Sequence, residues 1–133
     1  MQFKKNLASI ITTSCHKLTS NNKSCYENSI KQNYENVEFL IFVNGIDKNE
    51  YFKLLEFLEK KNIYNHKIKS LYSKSRVAIG KARRDLLKIS NGEYIIFLDS
   101  DDIPSKNLIS KKVEISKFLI FQGQIGLSSC RTT

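Results

Sequence analysis

Three carboxylates stand within four positions of this chain, at Asp99, Asp101 and Asp102. Carboxylates set so close repel one another, so a fold that groups them leaves them in water or lets them share a cation. Asp99 and Asp101, two residues apart, can offer oxygens to one hard divalent ion such as Mg²⁺ or Mn²⁺, which keeps its remaining positions for water and phosphate oxygens. The plainer alternative is a solvated turn in which Asp102, ahead of Ile103 and Pro104, caps the next helix. Spacing alone leaves both open.

The residues before the acids decide where they sit. Tyr94 to Leu98 is an unbroken apolar run, which suits a central strand covered on both faces. Such a strand discharges directly into the acidic loop, and in an open α/β sheet the space past a strand's carboxyl end is where ligands collect.

The rest of the chain alternates strand and helix signals. Leu7 to Thr13 reads as a first buried strand, and Ser14 to Lys23 as polar and irregular. Ser24 to Gln32 can form a helix. Val37 to Val43 is a second apolar strand that stops at Asn44-Gly45, a turn dipeptide. Asn49 to Lys61 places Tyr51, Phe52, Leu54, Leu55 and Leu58 at helical spacing. Ile68 to Tyr72 is a short third strand, Ala78 to Ile89 a helix ended by Asn91-Gly92, and Lys106 to Phe118 another helix. The run from Phe118 could start a further strand. This order predicts an α/β protein with a Rossmann-like, mainly parallel sheet and helices on both faces.

With 133 residues, 41% of them hydrophobic, the chain can bury one core, so 1–133 is expected to be a single domain. Neither a secretory signal nor an apolar run long enough to span a membrane is present, and a cytoplasmic location is the expectation. Cys15, Cys25 and Cys130 lack CxxC spacing, which argues against a disulfide framework, and Cys15-His16 with His66 and Cys25 does not form a zinc pattern.

The net charge of +9 is concentrated. Lys60 to Lys88 holds ten basic residues against Asp85 alone, so the remainder of the chain is neutral. Such a field favours an anionic partner: the phosphates of a small ligand, nucleic acid or an anionic membrane surface. Against a small basic nucleic-acid-binding domain stand the lack of a recognised reading motif and an acidic loop that repels a phosphate backbone. A nucleotidyltransferase of related fold would also use aspartates, yet Thr12 to Thr19 lacks the glycine-rich phosphate loop expected after its first strand.

Taken together the motifs resemble the family 2 glycosyltransferases, whose amino-terminal half is a nucleotide-binding unit of the GT-A fold. LASIITT is similar to that family's first strand; Gln32, Tyr34, Asn36 and Glu38 match its QTYxNxE passage; Ala82-Arg83 matches its ARN helix; and GEYIIFLDSDD is similar to its DxD segment. The resemblance covers roughly Ala8 to Leu108 and implies transfer of a sugar from a nucleotide-diphosphate sugar to a saccharide or lipid-linked acceptor in bacterial surface polysaccharide or glycan synthesis. It implies Mg²⁺ or Mn²⁺ as cofactor, with Asp101 the main metal ligand and Asp99 sharing the metal or contacting the ribose. Arg83 would face the diphosphate, and Thr13 would lie beside the base. Asn44 stands where the family usually carries a base-recognising aspartate, Arg84 replaces the asparagine of ARN, and Cys15 occupies a position where an aromatic ring often stacks on the base. Nucleic acid is not an expected partner, and peripheral association with the inner face of the membrane is an open option.

Family members are commonly much longer, and their second half supplies acceptor contacts and a general base. The expectation is therefore a donor-binding half with its carboxy-terminal part missing, 118–133 being an incomplete or disordered end, marginal in stability and unable to transfer sugar alone.

Overall fold

The computed structural model describes residues 3–121, with side chains to Phe118. Four strands, β1 (Lys4–Ser14), β2 (Val37–Asn44), β3 (Lys67–Ser73) and β4 (Gly92–Phe97), alternate with four helices, α1 (Ser20–Ile30), α2 (Lys48–Lys61), α3 (Ile79–Ile89) and α4 (Leu108–Phe121). The strands form one sheet in the order β3-β2-β1-β4, and every pairing is parallel. The α/β reading of the sequence therefore holds.

This order follows from the handedness of crossovers. The chain steps outward from β1 through β2 to β3 and then crosses back to place β4 on the other side of β1. Right-handed crossovers of opposite direction put their helices on opposite faces. Accordingly, α1, α2 and α4 cover one face, where Tyr26, Ile30, Leu54, Leu58, Ile109 and Val113 pack on Ile10, Phe39, Ile41 and Ile96. The other face carries α3, whose Ala82 and Leu86 pack on Ile11, Leu40, Phe42 and Ile95.

Being covered on both sides, β2 is buried along its whole length, as its continuous apolar run requires. The Tyr94–Leu98 run needs a correction. It is covered on both faces at Tyr94, Ile95 and Ile96, but among the described residues β4 pairs with β1 alone and is the end of the sheet rather than its centre. Phe97 is consequently 43% exposed.

The helix boundaries have local causes. Ser14 to Lys23 is not irregular throughout: Thr19 and Asn22 form a reciprocal cap, Asn22 N–H donating to Thr19 Oγ1 at 3.2 Å and Thr19 N–H to Asn22 Oδ1 at 2.7 Å, so α1 starts at Ser20. Glu50 in the first turn of α2 and Lys60 and Lys61 in its last turn complement the helix dipole. α4 begins at Leu108 and continues through Phe121, so the strand expected from Phe118 is helix over its first four residues. Its remainder, and most of the expected incomplete end, lie outside the described residues.

A buried polar cluster locks the amino-terminal side of the sheet. The Glu38 carboxylate, 1% exposed, accepts the Ser9 hydroxyl and the Asn91 N–H, both at 2.6 Å, and faces Lys69 Nζ at 3.1 Å. Lys69 Nζ also donates to Ile89 O at 2.7 Å, and Gly92 N–H donates to Ser9 Oγ at 2.9 Å. Three strands and the α3–β4 turn are thereby joined through one carboxylate. Burial alone would raise the Glu38 carboxyl, but the bonds from Ser9, Asn91 and Lys69 outweigh it and hold the group below the usual carboxylate range.

Gln32 performs a comparable task for α4. Its Oε1 accepts Ile109 N–H at 3.0 Å in the helix's first turn, and its Nε2 donates to Ser105 O at 2.5 Å and Asn28 O at 3.0 Å. This amide caps α4 from 77 residues away, and Asp102 does not cap it.

Candidate active site

The strand order reverses at β1, so the crevice beyond the carboxyl ends of β1 and β4 is the expected ligand site of this sheet. A cleft of about 270 Å³ lies there. Its walls hold Thr13 from the end of β1, Asn44 from the end of β2, Arg83 from α3, and Asp99 and Asp101 from the loop after β4. All five residues named from the sequence thus meet in one place. A cleft of about 380 Å³ between Gln32–Glu35 and Tyr64–His66 lies at the opposite end of the strands, away from these groups.

One oxygen from each of Asp99, Asp101 and Asp102 lies within 4.8 Å of the others, and all three residues are exposed. The loop is closed by its own backbone, Asp102 N–H donating to Asp99 O at 3.0 Å, while Asp99 N–H reaches the Asp102 carboxylate at 3.4 Å. From α1, the Cys25 thiol donates to Asp99 O at 3.4 Å. Burial pushes that thiol up to about 11, so it remains protonated and acts as a donor rather than a thiolate ligand. Exposed hard oxygens converging on one point, with no sulfur or imidazole among them, are the donor set that Mg²⁺ or Mn²⁺ takes.

Cationic groups stand opposite. Arg83 Nη2 lies 3.4 Å from Asp99 Oδ1, and its guanidinium is 5.8 Å from the centre of the Phe97 ring. Arg83 and Asp99 are 44% and 66% exposed, so this pair is a loose, solvent-screened contact that can be exchanged for another anion.

Asn44 has its amide engaged by the backbone. It is 2% exposed, its Nδ2 donates to Val77 O at 2.8 Å, and its Oδ1 accepts Val77 N–H at 2.9 Å. Both halves of the amide are engaged in tying the segment before α3 to the end of β2. A carboxylate has no proton to give Val77 O, which explains an asparagine here. Beside it Gly45, at φ 72°, turns the chain where a Cβ would meet Arg76 Cβ at 3.1 Å.

The cleft also contains Arg76 and His16, which sequence reasoning did not assign to it, and Cys15, which the resemblance put beside the base. Arg76 donates to Cys15 Sγ at 3.0 Å, and His16 Nε2 lies 3.6 Å from the same sulfur. All three belong to connections that follow strand ends, and that position was the available signal.

A wholly parallel α/β sheet with an acidic, arginine-edged cleft at its topological switch point puts the chain in the doubly wound α/β class, and comparison with known proteins narrows it. The sequence model described as Glycosyl transferase family 2 matches residues 9–118. The chain belongs to that family.

Among curated proteins, the chain is similar to the glycosyltransferase GlyG of Streptococcus pneumoniae, with 27% identity over 85 residues, covering 64% of this chain and 27% of GlyG. It is also similar to the UDP-Glc:alpha-D-GlcNAc-diphosphoundecaprenol beta-1,3-glucosyltransferase WfgD of Escherichia coli, with 34% identity over 86 residues, covering 65% of this chain and 32% of WfgD. The match thus spans about a third or less of either relative. Among solved structures, S. aureus TarS 1-349 in complex with UDP superposes with a TM-score of 0.66 at 18% identity, over 84% of this chain and 32% of that one. The mannosyltransferase PcManGT from Pyrobaculum calidifontis, in complex with GDP-Man and Mn²⁺, gives 0.71 at 13% identity over 82% and 32%. These likenesses establish the fold as that of the GT-A glycosyltransferases.

Proposed function

We propose that the cleft binds the nucleotide-diphosphate end of a sugar donor through a divalent ion, Mg²⁺ or Mn²⁺, held by Asp101 and Asp99. The observation that carries this reading is the convergence of the acidic loop, Arg83 and the end of β1 in one crevice at the sheet's switch point. The ion would neutralise charge that develops on the departing nucleotide diphosphate. Arg83, released from Asp99, presents a planar guanidinium to phosphate oxygens. Thr13 lies beside the base, and Asn44 positions Val77 and the start of α3. UDP in one structural neighbour, and GDP-Man with Mn²⁺ in another, support a ligand of this class.

In this reading the chain is the donor-binding part of a glycosyltransferase of bacterial surface polysaccharide or glycan synthesis. The name of WfgD supports a lipid-linked saccharide acceptor. A lipid-linked acceptor is consistent with action in the cytoplasm at the inner face of the membrane. No described helix is long and apolar enough to cross it.

Titration calorimetry with UDP and with GDP, each with and without Mn²⁺, tests the proposal. Mn²⁺ is expected to tighten binding of one of the two nucleotides, and Asp101→Asn to abolish that gain while leaving the fold intact. Nucleotide binding that is indifferent to metal, and unchanged in the variant, would overturn it.

A further inference from the structure

The topology sorts charge as well as helices. Along β3, Ile68 and Tyr72 pack into the core beneath α1, α2 and α4, so Lys67, Lys69 and Leu71 point to the α3 side by strand alternation. α3 in turn buries Ala82 and Leu86 against the sheet and turns Lys81, Arg84 and Lys88 outward, three and four residues apart on one side. Lys74 in the β3–α3 connection is also exposed.

The acids on this side offset only part of that field. Asp85 is paired with Lys81 at 2.8 Å, Glu38 is buried against Lys69, and Glu93 accepts the Asn6 N–H at 3.1 Å. The opposite face differs, since α2 exposes Glu56 and Glu59 alongside its lysines. Nothing within the described residues covers the outer side of α3 at Gly80, where an added Cβ would meet no atom within 4 Å.

We infer that this face docks on an anionic lipid surface, with the outer side of α3 lying along the headgroups. The argument is charge complementarity. Clusters of four or more Lys and Arg on one helical face are drawn to the negative leaflet by an attraction that adds up per residue. Arg84 and Lys88 on α3, with Lys74 and Lys67 from β3 and its connection and Lys81 shared with Asp85, supply charge of that size, so the contact is electrostatic and sensitive to salt.

Nucleic acid fits less well. Phe97, the exposed ring on this side, lies under the Arg83 guanidinium rather than free to stack on a base, and the acidic loop past β4 repels a phosphate backbone. The inference goes beyond the donor-binding reading and does not depend on it.

The test is co-sedimentation of the full chain with phosphatidylcholine vesicles, with and without phosphatidylglycerol, at low and high salt. Binding is expected only with the anionic lipid and is expected to fall with salt. The pair Arg84→Glu and Lys88→Glu should weaken it by about 30-fold or more. The pair Lys53→Glu and Lys60→Glu, an equal charge change on α2, should change it by no more than a few-fold. Equal losses in the two pairs, absence of vesicle binding, or tighter binding to an RNA or DNA duplex at the same ionic strength would each overturn the inference. Metal-dependent nucleotide binding measured on the same samples confirms that the variants are folded. Its failure in the parent chain counts against the donor site and leaves the vesicle result standing.

Discussion

Replacing Glu38 by Gln keeps the side chain's size while removing its charge, and its effect can be worked from the geometry. The carboxylate accepts two bonds of 2.6 Å and faces Lys69 at 3.1 Å with 1% of its surface exposed. A glutamine has one acceptor oxygen for two of these three donors, and its NH₂ group must face the third. Hydrogen bonds to a buried charge contribute about 1.5–3 kcal/mol each, and leaving a buried donor unsatisfied costs a similar amount. A loss of about 2–4 kcal/mol is therefore expected, a large share of the roughly 5–15 kcal/mol that holds a domain together. Urea denaturation should show a midpoint lower by about 1–2 M at unchanged slope. The acid limb should change too. Because the folded carboxyl lies below its unfolded value, its contribution is present above the unfolded pKa and is lost as pH falls through the folded one. In the glutamine variant that portion of the acid unfolding should vanish. A midpoint shift equivalent to less than about 0.5 kcal/mol would refute the claim that this carboxylate joins the sheet.

Gly92→Ala should be at least as damaging as an overpacked core, about 1–3 kcal/mol, since a Cβ there would fall 2.3 Å from Ser9 Oγ and 2.7 Å from Ser9 N; thermal melting checks it. Gln32→Ala should cost about 1–2 kcal/mol and speed hydrogen exchange selectively at the first amides of α4, beginning with Ile109, as mass spectrometry of the fragments would show. Arg83→Ala should weaken nucleotide diphosphate binding more than nucleoside binding, whereas Lys60→Ala and Lys61→Ala, at the far end of α2, should do little; equal losses in calorimetry would point to a diffuse field instead.

The alternation of strands and helices was legible because apolar runs such as Val37 to Val43 must be covered on both faces, and it survives in the structure. Which strand ends the sheet was not legible. Coverage of Tyr94 to Ile96 by α3 on one side and by α1, α2 and α4 on the other looks the same in sequence as a central position. The start of α1 was missed because Ser20 to Lys23 has weak helix propensity, and the helix begins there through the Thr19–Asn22 cap. In the site, the acidic loop stood out by residue type, and Arg83, one of ten basic residues in its segment, only through the family motif it matches. The matched residues Gln32 and Glu38 proved to hold the frame, one capping α4 and the other joining three strands. What the Asn44 amide bonds to was not legible, because its partner lies 33 positions away.

The Asn44 bridge makes the two jaws of the cleft mechanically unequal. A side chain that both donates to and accepts from the Val77 peptide adds one more rung beyond the last strand pairing, and the Gly45 N–H bond to Ser73 O at 2.7 Å sets a second one beside it. The jaw that carries Arg76 and the base of α3 therefore moves with the sheet. The acidic jaw hangs from a weak thiol bond, its own turn and an exposed ion pair, contacts that rearrange at small expense in free energy. Adjustment to an incoming ligand is therefore expected at Asp99 to Asp102 before it is expected at the Asn44–Val77 wall.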